Sequence, residues 1–244
     1  MNEEERKNLF LKEFKELEER LVILSRLKGD YVSYSRALDK VHYAGYDPLV
    51  MEDNVFQFLK TAGDLRNLLS HENDVAVPTE SFLKEFSEVK DAVCSPVTAF
   101  DICTKGENLL TCGPLSQVDA LVKRMGEKHL SHVPVIKNHQ VVGVFSTTTF
   151  FEAYMLKGRR DFPKDLAVGD LVDLHKLSSF NDEFLFVGKD ENARNLLDRF
   201  RKKNENQKRV SCLFVTYSGS PEESLIGIIT ETDLLKVREI KVSY

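Results

Sequence analysis

The spacing of apolar residues along this chain changes once, near residue 95. Before that point Phe10, Phe14, Leu17, Leu21 and Leu24 recur at three- and four-residue steps, the period of one helix face, and predict a helix over 2–28. Glu3, Glu4 and Glu5 suit its positive end, and Gly29 its stop. Val32, Leu38 and Val41 predict a second helix over 31–44, closed by Gly45. After the turn at Asp47-Pro48, the residues Val55, Phe56, Leu59, Leu65, Leu68 and Leu69 predict a third over 49–70. Pro78-Thr79 opens a fourth, whose stripe is Phe82, Leu83, Phe86 and Val89. Residues 1–92 therefore read as an all-α bundle.

After Cys94-Ser95-Pro96, short apolar runs alternate with amphipathic helices, and the pattern occurs twice. Leu109-Leu110-Thr111-Cys112-Gly113 answers Phe184-Leu185-Phe186-Val187-Gly188, each a strand running into a turn. Val118, Leu121, Val122 and Met125 answer Ala193, Leu196, Leu197 and Phe200 on the next helix. Ser131-His132-Val133-Pro134-Val135 answers Ser211-Cys212-Leu213-Phe214-Val215. Gly143 to Thr149 answers Gly227 to Asp233, and two polar insertions in the second copy, 204–209 and 219–223, fall where loops belong. The expected fold class is mixed α+β: an all-α bundle, then two β-α-β-β-α repeats over about 93–160 and 161–244.

The last of these matches carries the densest chemistry. Leu225, Ile226, Ile228 and Ile229 bracket Gly227 as a short buried strand does; Thr230 then stands at an N-cap and Asp233 in the first helical turn. A hydroxyl and a carboxylate beside free backbone amides suit a phosphorylated ribose, with the carboxylate on two vicinal sugar hydroxyls. An ordinary capped strand-to-helix turn uses the same residues.

Composition narrows the setting. The chain has 244 residues, 42% hydrophobic and 30% charged, enough for one large domain or two ordinary ones. A net charge of -5 argues against a surface that coats nucleic acid, though not against a local basic cleft. No apolar run has bilayer length, and Met1-Asn2-Glu3-Glu4-Glu5 is unlike a signal peptide, so a cytoplasmic protein with no membrane partner is expected. Cys94, Cys103, Cys112 and Cys212 have no C-x-x-C spacing and read as reduced, structural thiols, with no metal site expected.

The repeat resembles a pair of cystathionine β-synthase (CBS) domains, a Bateman module, from about Val93 to the C-terminus. The second copy keeps the end motif Gly-apolar-x-Thr/Ser-x-x-Asp. The resemblance implies an adenosyl ligand (AMP, ADP, ATP or S-adenosylmethionine) held as a regulator between the repeats. Asp233 would hold the ribose hydroxyls, Thr230 would touch phosphate or ribose, and backbone near Ile228, Thr111 and Val133 would hold adenine. His132 and Cys212 stand where the family places phosphate-facing side chains; His132 also reads as a half-buried strand histidine. Thr149 replaces the ribose aspartate in the first copy, so one good site and a weak or empty one at Ser146 and Thr149 are expected. The competing reading is a pair that binds nothing and only dimerises.

The bundle has its own candidate in Asp64-Leu65-Arg66-Asn67-Leu68-Leu69-Ser70-His71-Glu72. Arg-Asn followed by His at this spacing resembles HEPN domains, helical bundles many of which are metal-independent ribonucleases acting as dimers. The resemblance implies that Arg66 stabilises a scissile phosphate, His71 transfers protons and Asn67 orients them, with RNA as substrate. Arg66 and His71 sit about 140° apart on a regular helix, so they converge only if the helix bends or ends near Ser70, or if a second copy supplies the partner. Asn73 stands where toxin-like members have a tyrosine. The plainer alternative has Arg66 bridging to Asp64 or Glu72, and His71 on terminal carbonyls. Two minor features are a basic loop, Lys202-Lys203 and Lys208-Arg209, read as solvated charge, and a stripe, Phe150, Phe151, Tyr154 and Met155, read as repeat packing. Together these expectations describe a homodimeric nucleotide sensor whose bundle is either a regulated endoribonuclease or a non-enzymatic docking element.

Overall fold

Four helices follow the four predicted stripes: α1 (Glu3–Ser25), α2 (Tyr34–Ala44), α3 (Asp53–His71) and α4 (Glu80–Cys94). The structure is a computed structural model and describes residues 1–29, 31–71, 76–156, 165–171, 182–201, 209–237 and 239–242. Asn2 and Glu5 close a reciprocal capping box at the start of α1. Its end comes three residues before the predicted 28, because the Ser25 hydroxyl donates to the Val22 carbonyl and accepts from the Leu27 amide, and Arg26 turns left-handed. α3 likewise starts later than predicted. The buried Asp47 carboxylate accepts the amides of Leu49 and Val50 at 2.9 and 3.1 Å, holding both side chains in the core as a turn. α2 waits for Ser33 in extended conformation, which leaves Tyr31 exposed ahead of it.

The helical core is built on Phe10, Phe14, Leu17, Leu21 and Phe86, with the Phe10 and Phe86 rings 4.9 Å apart. Thr79 caps α4, accepting the Phe82 amide. Ser87 donates to Glu13 at 2.6 Å and Lys90 pairs with Glu13 and Glu16, tying α4 to α1. Ile240 belongs to this core too, and Val242 packs on it. Residues 1–97 and 238–244 form one compact unit, and residues 98–237 the other. The expected division, 1–92 against 93–244, placed the tail with the repeats.

The second unit begins with α5 (Ala99–Ile102) and β1 (Thr104–Lys105). The first repeat continues with α6 (Val118–Glu127), the hairpin β2 (His132–Lys137) and β3 (Gln140–Ser146), and α7 (Thr147–Leu156). The second has β4 (Asp182–Gly188), α8 (Ala193–Arg201), β5 (Arg209–Thr216), β6 (Gly227–Ile229) and a 3-10 turn, Glu231–Lys236. Its sheet runs β1-β6-β5-β4, with β4 parallel to β5 over seven residues.

The first repeat departs from this symmetry. The strand predicted at Leu109 to Gly113 is reduced to one parallel bridge, Cys112 to Val135, made by Cys112 N–H to Pro134 O and Ile136 N–H to Cys112 O. The next rung would need an N–H from Pro134, which has none; Phe214 stands at the matching place in the second repeat and the ladder runs on.

Each repeat completes the core of the other. The lead-in segment of the first, Ala99, Ile102 and Cys103, packs among Val187, Ala193, Leu196, Leu213 and Ile229 of the second. The lead-in segment of the second, Leu166, Val168 and Leu171, packs among Val118, Leu121, Val133 and Phe145 of the first. The backbone contacts correspond: Ala99 N–H to Glu191 O at 2.8 Å, and Val118 N–H to Leu166 O at 2.9 Å. A third cluster, Val141, Val144, Phe184, Cys212, Phe214 and Ile228, joins the two sheets.

The loop at 219–223 is closed by Glu223, whose carboxylate accepts the Ser218 amide and hydroxyl. The basic loop lies outside the described residues except for Arg209, which opens β5. Phe151 and Met155 are exposed within this unit, contrary to the expectation that they pack the repeats together.

Candidate functional site

Gly227, Ile228 and Ile229 form β6 between β1 and β5, and Ile228 pairs with Thr104 on one side and Phe214 on the other. Gly227 is required there, since a Cβ would come within 2.6 Å of Cys103 Sγ and 2.9 Å of the Thr104 carbonyl. The strand delivers Thr230 as the N-cap of the 3-10 turn. The Thr230 amide and hydroxyl both donate to Asp233 Oδ2 at 2.9 Å, a capping box that turns the carboxylate inward, 8% exposed.

The other carboxylate oxygen, Oδ1, receives the Lys236 ammonium at 2.7 Å, and the same ammonium donates to the Ile102 carbonyl at 2.7 Å. A carboxylate offers about four acceptor directions, and three are filled. The lead-in of the first repeat therefore forms part of the surroundings of the Asp233 carboxylate. The Cys103 thiol registers this arrangement: burial raises its pKa, Lys105 and Lys236 pull it down, and Asp233 pushes it up.

The corresponding turn of the first repeat is closed by hydroxyls alone. Ser146 and Thr149 exchange amide-to-hydroxyl hydrogen bonds at 3.2 and 3.0 Å, and both side chains are buried. Nothing in that box carries charge.

The other predicted ligand residues are dispersed within the unit. Cys212 is fully buried and in register with Phe184, and the His132 and Phe184 rings form a T-shaped pair with centroids 6.2 Å apart. His132 and Cys212 thus come together through Phe184, at the apolar cluster that also holds the Ile228 side chain. His132 is half-buried, with Ser131 Oγ 2.8 Å from its Nδ1. Val133 turns into the first repeat's own core, and Thr111 is exposed beside Cys112. Lys236 escaped the sequence reading, although a lysine three residues after a helical aspartate is a recognisable pair. No local pattern could have announced the Ile102 carbonyl.

In the helical unit, Arg66 and Asn67 meet: the guanidinium donates to Asn67 Oδ1 at 3.3 Å and lies 5.8 Å from the Phe14 ring centroid. Both line a cleft of about 310 Å³ with Phe14, Tyr34, Lys60 and Asp64. Gly63 admits the Tyr34 ring, which a Cβ would meet at 3.0 Å. The Tyr34 hydroxyl donates to the Leu59 carbonyl, and burial with the nearby Glu18 raises its pKa. Among the described residues Arg66 forms no ion pair, so the bridge to Asp64 is not made. Glu72 and Asn73 lie outside the described residues, as does the side chain of His71, which ends α3.

Residues 99–156 and 177–239 match the family model of the CBS domain. Among solved structures the chain is similar to CBSX2 from Arabidopsis thaliana, at 23% identity over 58% of this chain and 94% of that one, with a TM-score of 0.41. CBSX2 in complex with AMP gives 23% identity, 57% and 93% coverage and a TM-score of 0.40. The CBS domain of a CBS domain-containing membrane protein from Sphaerobacter thermophilus gives 19%, 60%, 90% and 0.39. No curated protein sequence matches the chain. Among the described residues, no helix is long and apolar enough to cross a membrane.

Proposed function

We propose, from the premise that the repeat unit of this chain is a tandem CBS pair, that it is a regulatory sensor binding one adenosyl ligand at Asp233. The observation that carries the reading is a buried carboxylate whose free direction and exchangeable lysine leave it able to accept a ribose diol. The first-repeat box, uncharged and closed on itself, fits a weak or empty second site. Calorimetry with AMP tests the reading: one ligand per chain for wild type, and an affinity loss of about 1.5–3 kcal/mol for Asp233→Ala, the range of hydrogen bonds to a charged group. Because Asp233 also caps its turn, far-UV circular dichroism must show the variant folded. Unchanged affinity removes Asp233 from the site.

In this reading the protein is a cytoplasmic homodimer, and occupancy biases the helical unit, which requires the ligand to bind two arrangements of the protein with different affinity. Hydrogen exchange in α1–α4 with and without AMP measures that bias, and identical protection disproves it.

A second reading rests on the half-buried Arg66, without an ion pair among the described residues, beside Asn67 in a cleft of ligand size: a metal-independent endoribonuclease using Arg66, Asn67 and His71 on RNA. The cleft also holds Glu18 and Asp64, which a phosphate backbone would meet as like charge. Labelled RNA cut by wild type in chelator and spared by His71→Ala supports the enzyme. No cleavage with any adenosyl ligand leaves the non-enzymatic alternative, a bundle that dimerises or docks a partner.

A further inference from the structure

We infer that Lys236 selects the charge of the ligand, so that the Asp233 site takes adenosine phosphates in preference to neutral nucleosides and to the sulfonium of S-adenosylmethionine; this rests on the adenosyl reading above. Three donors occupy the Asp233 carboxylate. A ribose diol brings two more for the one direction left, so one resident donor must leave. The two from Thr230 are fixed by the turn, one being backbone and the other on the adjoining side chain, itself 2.9 Å from Thr232 Oγ1. Lys236 is the mobile member: its side chain is 53% exposed, and its bond to Asp233 closes across three residues.

The pair joins a buried carboxylate to a solvent-facing ammonium that water screens from one side, so the diol can displace it. The fate of the displaced ammonium then depends on the ligand. It keeps its bond to the Ile102 carbonyl and stays at the site, stripped of its counter-charge. With a neutral nucleoside it remains unpaired. With S-adenosylmethionine the group next to the ribose is the sulfonium, a second cation, and the carboxylate stands four bonds beyond it. With a phosphate on the ribose it gains a charge-assisted partner while the Ile102 carbonyl still holds it. The exchange conserves an ion pair next to the ribose only where the group attached there is anionic.

The experiment compares AMP, adenosine and S-adenosylmethionine by calorimetry against wild type, Lys236→Met and Lys236→Arg. Wild type should prefer AMP to adenosine by about tenfold, the low end for a hydrogen bond to a charged group at a part-exposed site. S-adenosylmethionine should bind less tightly than adenosine. Lys236→Met should bring the AMP preference to within about twofold and strengthen S-adenosylmethionine, while Lys236→Arg should keep the wild-type order. The Arg variant separates charge from a general weakening of the turn. If wild type binds AMP and adenosine alike, or if Lys236→Met leaves their ratio unchanged, Lys236 has no selecting role though the adenosyl reading stands. If wild type binds none of the three, the adenosyl reading fails first.

Discussion

Replacing Ile240 with alanine asks whether the C-terminal tail is structural for the helical unit. Ile240 is 7% exposed and shares a core with Phe10, Leu17 and Phe86, more than 150 residues away in sequence. The substitution removes three carbons, and at about 0.8 kcal/mol per buried methylene the transfer loss is about 2.4 kcal/mol. A residual cavity adds to this, but the tail is a short irregular segment that can subside into the gap, which keeps the addition small. We expect a loss of about 2–3 kcal/mol. For a unit of roughly 100 residues, each kcal/mol moves the midpoint by about 4–8 °C, so the helical transition should fall by about 10–20 °C. Calorimetry resolves the two units if they melt separately, and hydrogen exchange assigns the loss to α1–α4. Leu235→Ala, at a side chain 86% exposed, is the control and should cost under about 0.5 kcal/mol. An Ile240→Ala protein that melts with wild type, or that loses protection in the repeats and not in the helices, would refute a structural role for the tail.

Three other outcomes follow from the geometry. Pro134→Val supplies the missing N–H opposite Leu110; the new amide should exchange slowly, with stability within about 1 kcal/mol of wild type because one hydrogen bond gained offsets the lost rigidity of proline. A fast-exchanging amide at 134 would mean that the proline is not what ends the ladder. Ellman's reagent at pH 8 should label Cys94, which is half-buried, while Cys103, Cys112 and Cys212 react only on unfolding; burial pushes the Cys112 thiol up to about 12. Lys90 is raised above its ordinary value chiefly by its hydrogen bond to Asp91, with Glu13 and Glu16 adding to it. A raised folded value gives stability that is complete below the unfolded pKa of about 10.4 and is lost as pH climbs through the folded one. The urea-stability difference between wild type and Lys90→Met should accordingly be flat from pH 7 to 10 and shrink above it; a difference independent of pH through 12 would exclude the charge.

Period and local chemistry were the legible part. Phe10, Phe14, Leu17 and Leu21 announced a helix face because burial of that face is what forms the helix. The Thr230–Asp233 box was legible as well, since both partners stand within one turn. What stayed hidden depends on distant pairs. Helix ends shifted where Ser25 and Asp47 took backbone groups for themselves, and such competition is weak against periodicity in any window. The seat of Ile240 among residues of the first helix has no sequence signature, being one apolar residue in a polar tail. Around the Asp233 carboxylate, the Thr230 donors lay within a local pattern and the ammonium did not, because the lysine's second anchor is a main-chain carbonyl 134 residues earlier.

The mutual completion of the two repeats has a consequence for how the chain is made. A polypeptide leaving the ribosome presents Ala99 and Ile102 long before Leu196, Leu213 and Ile229 exist to cover them. The first repeat, for its part, stays open until Leu166, Val168 and Leu171 have been synthesised. The first copy is therefore not a finished folding unit when its own last residue emerges, and the nascent first half must hold an apolar segment in reserve until the second half has been synthesised. Translation arrested at the end of the first repeat should therefore leave a chaperone client, and release to full length should clear it.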